Sequence, residues 1–300
     1  MSKQYRYYLG RITKGGVLTT DELIEAIVDP VIIRKKEYSY TFTNMYYDKK
    51  NNYVFGKLVK YMPVGEVETI EPDEHKESSM LIQHKKESSS PFVIILDHMG
   101  IAYPHIWNAL PKEQFEKYFC ELICEKYDNL MVSCNIEPIV DLRTFIERVS
   151  TIDIVHSISA TVVPPNPLFG PVWKELKDYM EKRESGELSI SEKSKRSDGL
   201  KTKLVSFMKS VLTMKDKSEE ERISLLENQQ YGISDAATLM AADGYGRAKI
   251  EGLSNNEKII IKTKDNQKSF LYDKEPDNEE FFNLVKEELL KINQERYLEH

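Results

Sequence analysis

The feature that most constrains this chain is a run of β-favouring residues, Ile152–Val163, that stops at Pro164-Pro165-Asn166-Pro167. In an extended strand Ile152, Ile154, His156 and Ile158 fall on one side, and Val155, Ser157 and Ser159 on the other. The prolines cannot continue a strand ladder. Beyond them Val172, Trp173, Leu176, Tyr179 and Met180 recur at helical spacing, which predicts a helix over Pro171–Arg183. A chain with this junction needs strands and helices packed on one another, which is the α+β class.

The flanking sequence extends the pattern. Tyr5–Ile12 reads as an opening strand, and Thr20 is expected to cap a short helix carrying Leu23, Ile24 and Ile27. Glu37–Tyr47 and Tyr53–Tyr61 form a hairpin around Asp48-Lys49-Lys50. Val64–Ser90 holds seven acids against three lysines and is expected to be a long surface excursion, with room for a short strand at Ser79–Gln83. Phe92–Asp97 (FVIILD) reads as a central strand and Gly100–Tyr103 as its return. A helix from Pro111 to Tyr127, a strand over Leu130–Ile136 and a helix over Asp141–Val149 follow.

Glu184–Gly199 is polar and Ser-rich, the composition of a linker. Helices are expected over Leu200–Met214 and Ser218–Gln229, then strands at Ala236–Ala241, Gly246–Ile250 and Lys258–Lys262, with a further one at Phe270–Tyr272. A final helix, Pro276–Arg296, carries Phe281, Phe282, Val285, Leu289, Leu290 and Ile292 as a stripe suited to a core or a partner. At 300 residues more than one domain is expected. The divisions are an α/β core over 1–165 built on a mixed sheet, a helical segment over 166–230 with its linker at 184–199, and a smaller β-β-β-α part over 231–300.

The chemistry-bearing residues are sparse. Cys120, Cys124 and Cys134 are too few for a disulfide scaffold and have no histidine beside them, so they read as buried thiols. Asp97-His98 ends a buried strand and His156 lies within one, and both read as structural rather than catalytic. Asp243-Gly244-Tyr245-Gly246-Arg247 lacks the spacing of a phosphate loop and reads as a hairpin turn. Glu251, Glu257 and Lys258 resemble the acid-plus-lysine set of metal-dependent nucleases, the alternative enzymatic reading. A second alternative is an adaptor that docks a protein partner through Phe281–Ile292. The primary reading assigns no catalytic residue, metal or cofactor.

Charge is the more informative signal. The net of −7 counts against nucleic acid, yet Lys193–Lys217 holds eight Lys/Arg against two Asp, a local +6. A polarised surface binds a DNA backbone while the whole chain stays acidic. The candidate phosphate contacts are Lys193, Lys195, Arg196, Lys201, Lys203, Arg247 and Lys249, with Arg34, Lys35 and Lys36 as a further patch. No apolar run approaches the roughly 20 residues that span a bilayer, so a cytoplasmic protein is expected.

Several short features occur in a telling order. Ile136-Glu137-Pro138 closes a strand, and His156 is followed five residues on by Thr161-Val162. Phe169-Gly170 opens a helix, and Ser234-Asp235 precedes the last strands. In this order the chain resembles the RexA-like family of antiphage DNA-binding sensors, typified by the A protein of the lambda phage Rex exclusion system, over about Tyr38–Tyr297. The DNA-binding component of the Kiwa defence system is a looser likeness. The resemblance implies a homodimer that binds double-stranded DNA with little sequence preference and signals to a separate membrane effector. It carries over no catalytic residue, and the acidic stretch Val64–Ser90 departs from it.

Overall fold

The computed structural model describes residues 4–71, 76–164, 174–212 and 232–297. The fold is α+β, built on two sheets whose pairings are antiparallel throughout the described residues. The hub of the larger sheet is β1 (Gln4–Gly16). Along one edge it pairs β12 (Ser269–Asp273) and then β7 (Val132–Pro138); along the other it pairs β6 (Gly100–Pro104). Beyond β6 come β5 (Lys76–Ile95), β4 (Tyr53–Glu71), β3 (Tyr38–Asp48) and the edge strand β2 (Ile33–Lys35).

The apolar run at the end of β5 has a direct cause. Phe92 and Ile94 face a core beneath α1 (Thr20–Val28) and α2 (Lys112–Glu125), where Phe115 and Phe119 meet Phe42 and Phe92. Val93 and Ile95 face a second core on the other side, closed by α7 (Asn278–Tyr297) through Phe281, Phe282, Val285, Leu289 and Ile292. A strand covered on both faces loses its apolar–polar alternation. The C-terminal stripe is thus buried in the chain's own core, and only Leu290, 37% exposed, remains outward. The adaptor reading therefore loses its docking stripe.

The smaller sheet runs β11 (Glu257–Lys262), β10 (Gly246–Ser254), β8 (Ile154–Val162), β9 (Leu188–Lys193). One face is covered by α3 (Leu142–Ser150), α4 (Lys174–Lys182), α5 (Leu204–Leu212) and α6 (Ile233–Met240). Ile158, Ala160, Val162, Ala248, Ile250 and Ile261 point into that layer with Phe145, Leu204, Phe207, Ala237 and Met240. The sheets interleave the sequence: β8 pairs β10 from more than 80 residues on, and β12 returns to β1. The three divisions expected along the chain therefore do not coincide with the two sheets.

Four local expectations are corrected. Val64–Ser90 is not a loop excursion with one short strand at most; residues 64–71 and 76–90 lie within β4 and β5, which stay paired to Glu71↔Lys76, and the strand at Ser79–Gln83 is part of β5. Successive residues Ser79–His84 are all exposed, so this stretch lacks the apolar alternation that marks a half-buried strand. Ala236–Ala241 is helical, within α6 and the turn after it, as expected of residues rich in Ala, the strongest helix former. The stretch over 184–199 contains β9, whose Ser189 and Ser191 are polar because they face outward from an edge strand. Asp243–Arg247 is a helix-to-strand joint rather than a hairpin turn. Gly246 there has φ +152, and a Cβ would stand 2.1 Å from the Thr161 carbonyl oxygen, a geometry that requires glycine. The helix expected over Ser218–Gln229 lies outside the described residues.

The cap of α1 is Thr19 rather than Thr20. Its hydroxyl accepts from the Glu22 amide at 3.2 Å, and the Glu22 carboxylate accepts from the Thr19 amide at 2.7 Å. This capping box satisfies two otherwise orphaned donors. Thr19→Ala should lower unfolding free energy by about 1 kcal/mol, as measured by urea titration; no change would show that the box contributes nothing.

Candidate nucleic-acid interface

The face of the smaller sheet that no described helix covers is where sequence and register put the cations together. Residues directly opposite in an antiparallel ladder share a face. One row therefore runs Lys262, Lys249, Ser159, Ser191 from β11 to β9, and the next runs Ile260, Glu251, Ser157, Lys193. A third holds Arg247, Thr161 and Ser189, the last two joined by a 2.9 Å hydroxyl contact. Four cations and five hydroxyls thus share one surface with a single carboxylate, Glu251. None of these rows carries an aromatic ring.

The side chains differ in freedom. Glu251 pairs with Lys249 and reaches Lys258 at 3.5 Å, contacts that hold its carboxyl below the usual glutamate range. Among the described residues no group of three or more His, Cys, Asp or Glu could hold a metal ion. Arg247 is fixed at the border of the two sheets, its Nε donating to Glu137 of β7 at 2.8 Å.

Glu137 belongs to a polar seam. Its carboxyl is pushed up by burial and pulled back by Arg247. Across the seam the Tyr103 hydroxyl donates to Glu116 Oε1 at 2.5 Å, and Gln267 Nε2 donates to the Tyr103 oxygen at 3.0 Å. Lys112 Nζ donates to Gln267 Oε1 at 2.9 Å. Burial raises Glu116 above the ordinary 4.5. Cys120 lies one turn further along α2, its thiol raised by a hydrogen bond with Cys134 and by burial, so it is a poor nucleophile.

The sign of the resulting pH dependence follows from linkage. A carboxyl raised in the folded state holds a proton that the unfolded chain releases. Its contribution to stability is full below pH 4.5 and is lost as pH rises through the raised folded value. Unfolding free energies of wild type and Glu116→Gln, measured across pH 4–8, should therefore differ in slope just above 4.5, the variant declining less. Parallel curves would show that Glu116 titrates normally.

The remaining candidates are spread out. Lys195 and Arg196 are exposed on the turn beyond β9, where Ser194 N–H donates to the His156 carbonyl. Lys201 and Lys203 lie past the sheet edge on the helix side, and the Lys203 amide donates to Asp235 of α6. Arg34 and Lys35 sit on β2 at the far edge of the larger sheet and Lys36 at the turn beyond it, Lys35 pairing with Glu121 of α2. The structure does not bring that patch to the smaller sheet's open face. Lys262 is on the face and was missed from sequence, because only the β10–β11 register sets it opposite Lys249.

These features define a two-sheet α+β protein with one helix-covered sheet whose other face, among the described residues, is open, cationic and rich in hydroxyls. The chain belongs to the family described as Domain of unknown function (DUF4747), whose model matches residues 21–218. The match takes in Lys193–Lys203 and stops short of Arg247, Lys249 and Lys262. No curated protein matches the chain. Among the described residues no helix is long and apolar enough to cross a membrane.

Proposed function

We propose that this chain binds the phosphate backbone of double-stranded DNA on the open face of its smaller sheet, without strong sequence preference. The observation that carries the reading is the pair of rows placing Lys193, Lys249 and Lys262 among Ser157, Ser159 and Ser191, with Arg247 and Thr161 beside them. Lysines and hydroxyls are phosphate-contacting groups. The described rows of this face carry no aromatic ring on which unpaired bases could stack, which favours duplex over single strands. Lys195 and Arg196 extend the surface at the β9 edge. The role in phage exclusion, as a cytoplasmic homodimeric sensor acting with a separate membrane effector, is supported by the sequence resemblance alone.

The test is binding of the purified chain to a fluorescent random-sequence duplex over a salt series, with and without Mg²⁺. The expected result is salt-sensitive, metal-independent binding with the duplex intact. Absence of binding at low salt would end the proposal, and cleavage that requires metal would return the assignment to Glu251, Glu257 and Lys258.

A further inference from the structure

The β4–β5 hairpin outruns the sheet that holds it. β3 pairs β4 only as far as Ser39↔Tyr61, and β6 pairs β5 only along Val93–Ile95. Beyond Tyr61 the hairpin continues as a ribbon of two strands. Two strands alone are marginally stable in water, and here they expose apolar groups. Every residue from Ser79 to His84 is exposed; Leu81 is 73% exposed, Val64 60% and Met80 59%. The outer edge of β4 is blunted by Pro63, which has no N–H to donate. From Ser79 to Gln83 the outer edge of β5 carries neither a proline nor a charge.

We propose that β5 is a dimerisation strand whose free edge pairs antiparallel with the same edge of a second copy of this chain. A two-fold axis through such a ladder sets one residue opposite its own copy. His84, with φ +55, turns the strand, so the straight exposed segment with described side chains is Ser79–Gln83, centred on Leu81. About that centre Leu81 meets Leu81, Met80 meets Ile82 and Ser79 meets Gln83. Two marginal ribbons then become one four-stranded sheet, above the three strands that independent stability needs.

Charge selects the same occupant. By sequence, residues 66–77 carry six acids and one lysine, which repels a phosphate backbone. Antiparallel pairing points the two acidic tips away from each other. The same register sets Lys85 of each copy opposite Glu77 of the other.

Sedimentation velocity on the full chain tests this with two variants. Wild type should be a dimer at micromolar concentration, and Leu81→Lys, which sets two ammonium groups face to face, should raise the dimer dissociation constant by about tenfold or more. Leu81→Cys should yield a covalent dimer under mild oxidant, whereas Val64→Cys, off the axis on β4, should not. A wild type that stays monomeric overturns the proposal. So does a dimer unchanged by Leu81→Lys together with no cross-link through Leu81→Cys. Leu81 lies off the open face of the smaller sheet, so DNA affinity can fail or hold independently of these outcomes.

Discussion

Replacing Phe281 by alanine should lower the unfolding free energy by about 3–5 kcal/mol, the range for truncating a buried aromatic. Its ring is fully buried, 4.8 Å from that of Tyr7 and stacked at 5.6 Å on that of Tyr272. These contacts tie α7 to β1 and β12, the strands at one end of the larger sheet. A protein of ordinary stability holds about 5–15 kcal/mol, so the variant should sit near its unfolding limit at moderate temperature. Leu290→Ala, on the outward side of the same helix, should change stability by no more than about 0.5 kcal/mol. Urea titrations of both variants read the contrast. Equal, small effects would mean that α7 does not close the core and would restore its stripe as a partner surface.

The triple variant Lys193→Gln, Lys249→Gln, Lys262→Gln should weaken duplex binding by about 10³-fold at low salt, taking roughly tenfold per charged group. The slope of log affinity against log salt should fall by about three units, near 0.9 for each phosphate no longer neutralised. The weakening should be the same on duplexes of different sequence, because the interactions are with the backbone. All three side chains are at least partly exposed, so the fold should be unaffected. The comparison variant Arg34→Gln, Lys35→Gln, Lys36→Gln should bind as wild type does, since β2 lies on a different sheet. If that variant is the weaker binder, the interface belongs on the larger sheet and the proposed face is wrong.

Elements whose signature is local are legible in the residues themselves. The FVII run, the amphipathic α2, and the helix after Pro276 all appear where their spacing places them. The elements that mislead are those whose surroundings the local sequence does not describe. The ribbon beyond Tyr61 reads as a surface excursion because its described residues Ser79–His84 are all exposed, which removes the apolar–polar alternation of a half-buried strand. The Ala-rich α6 lacks an apolar–polar stripe because seven of its eight residues are buried. The candidate cations are visible one by one as lysines and arginines, without their grouping.

The sequence by itself determined the α+β class, the apolar segments that form the cores, the segregation of charge and the absence of a nucleotide loop or disulfide scaffold. Each follows from composition or from a spacing of two or 3.6 residues. Only the tertiary structure decided that β8 pairs with β10, that Lys262 joins Lys249 on the open face while Arg34–Lys36 does not, and that the C-terminal stripe is core. The physical reason is register. A ladder brings together residues more than a hundred positions apart, and a slip of one residue would exchange the face of every side chain in the strand. No local pattern carries that information, because it is settled by the packing of both sheet faces at once.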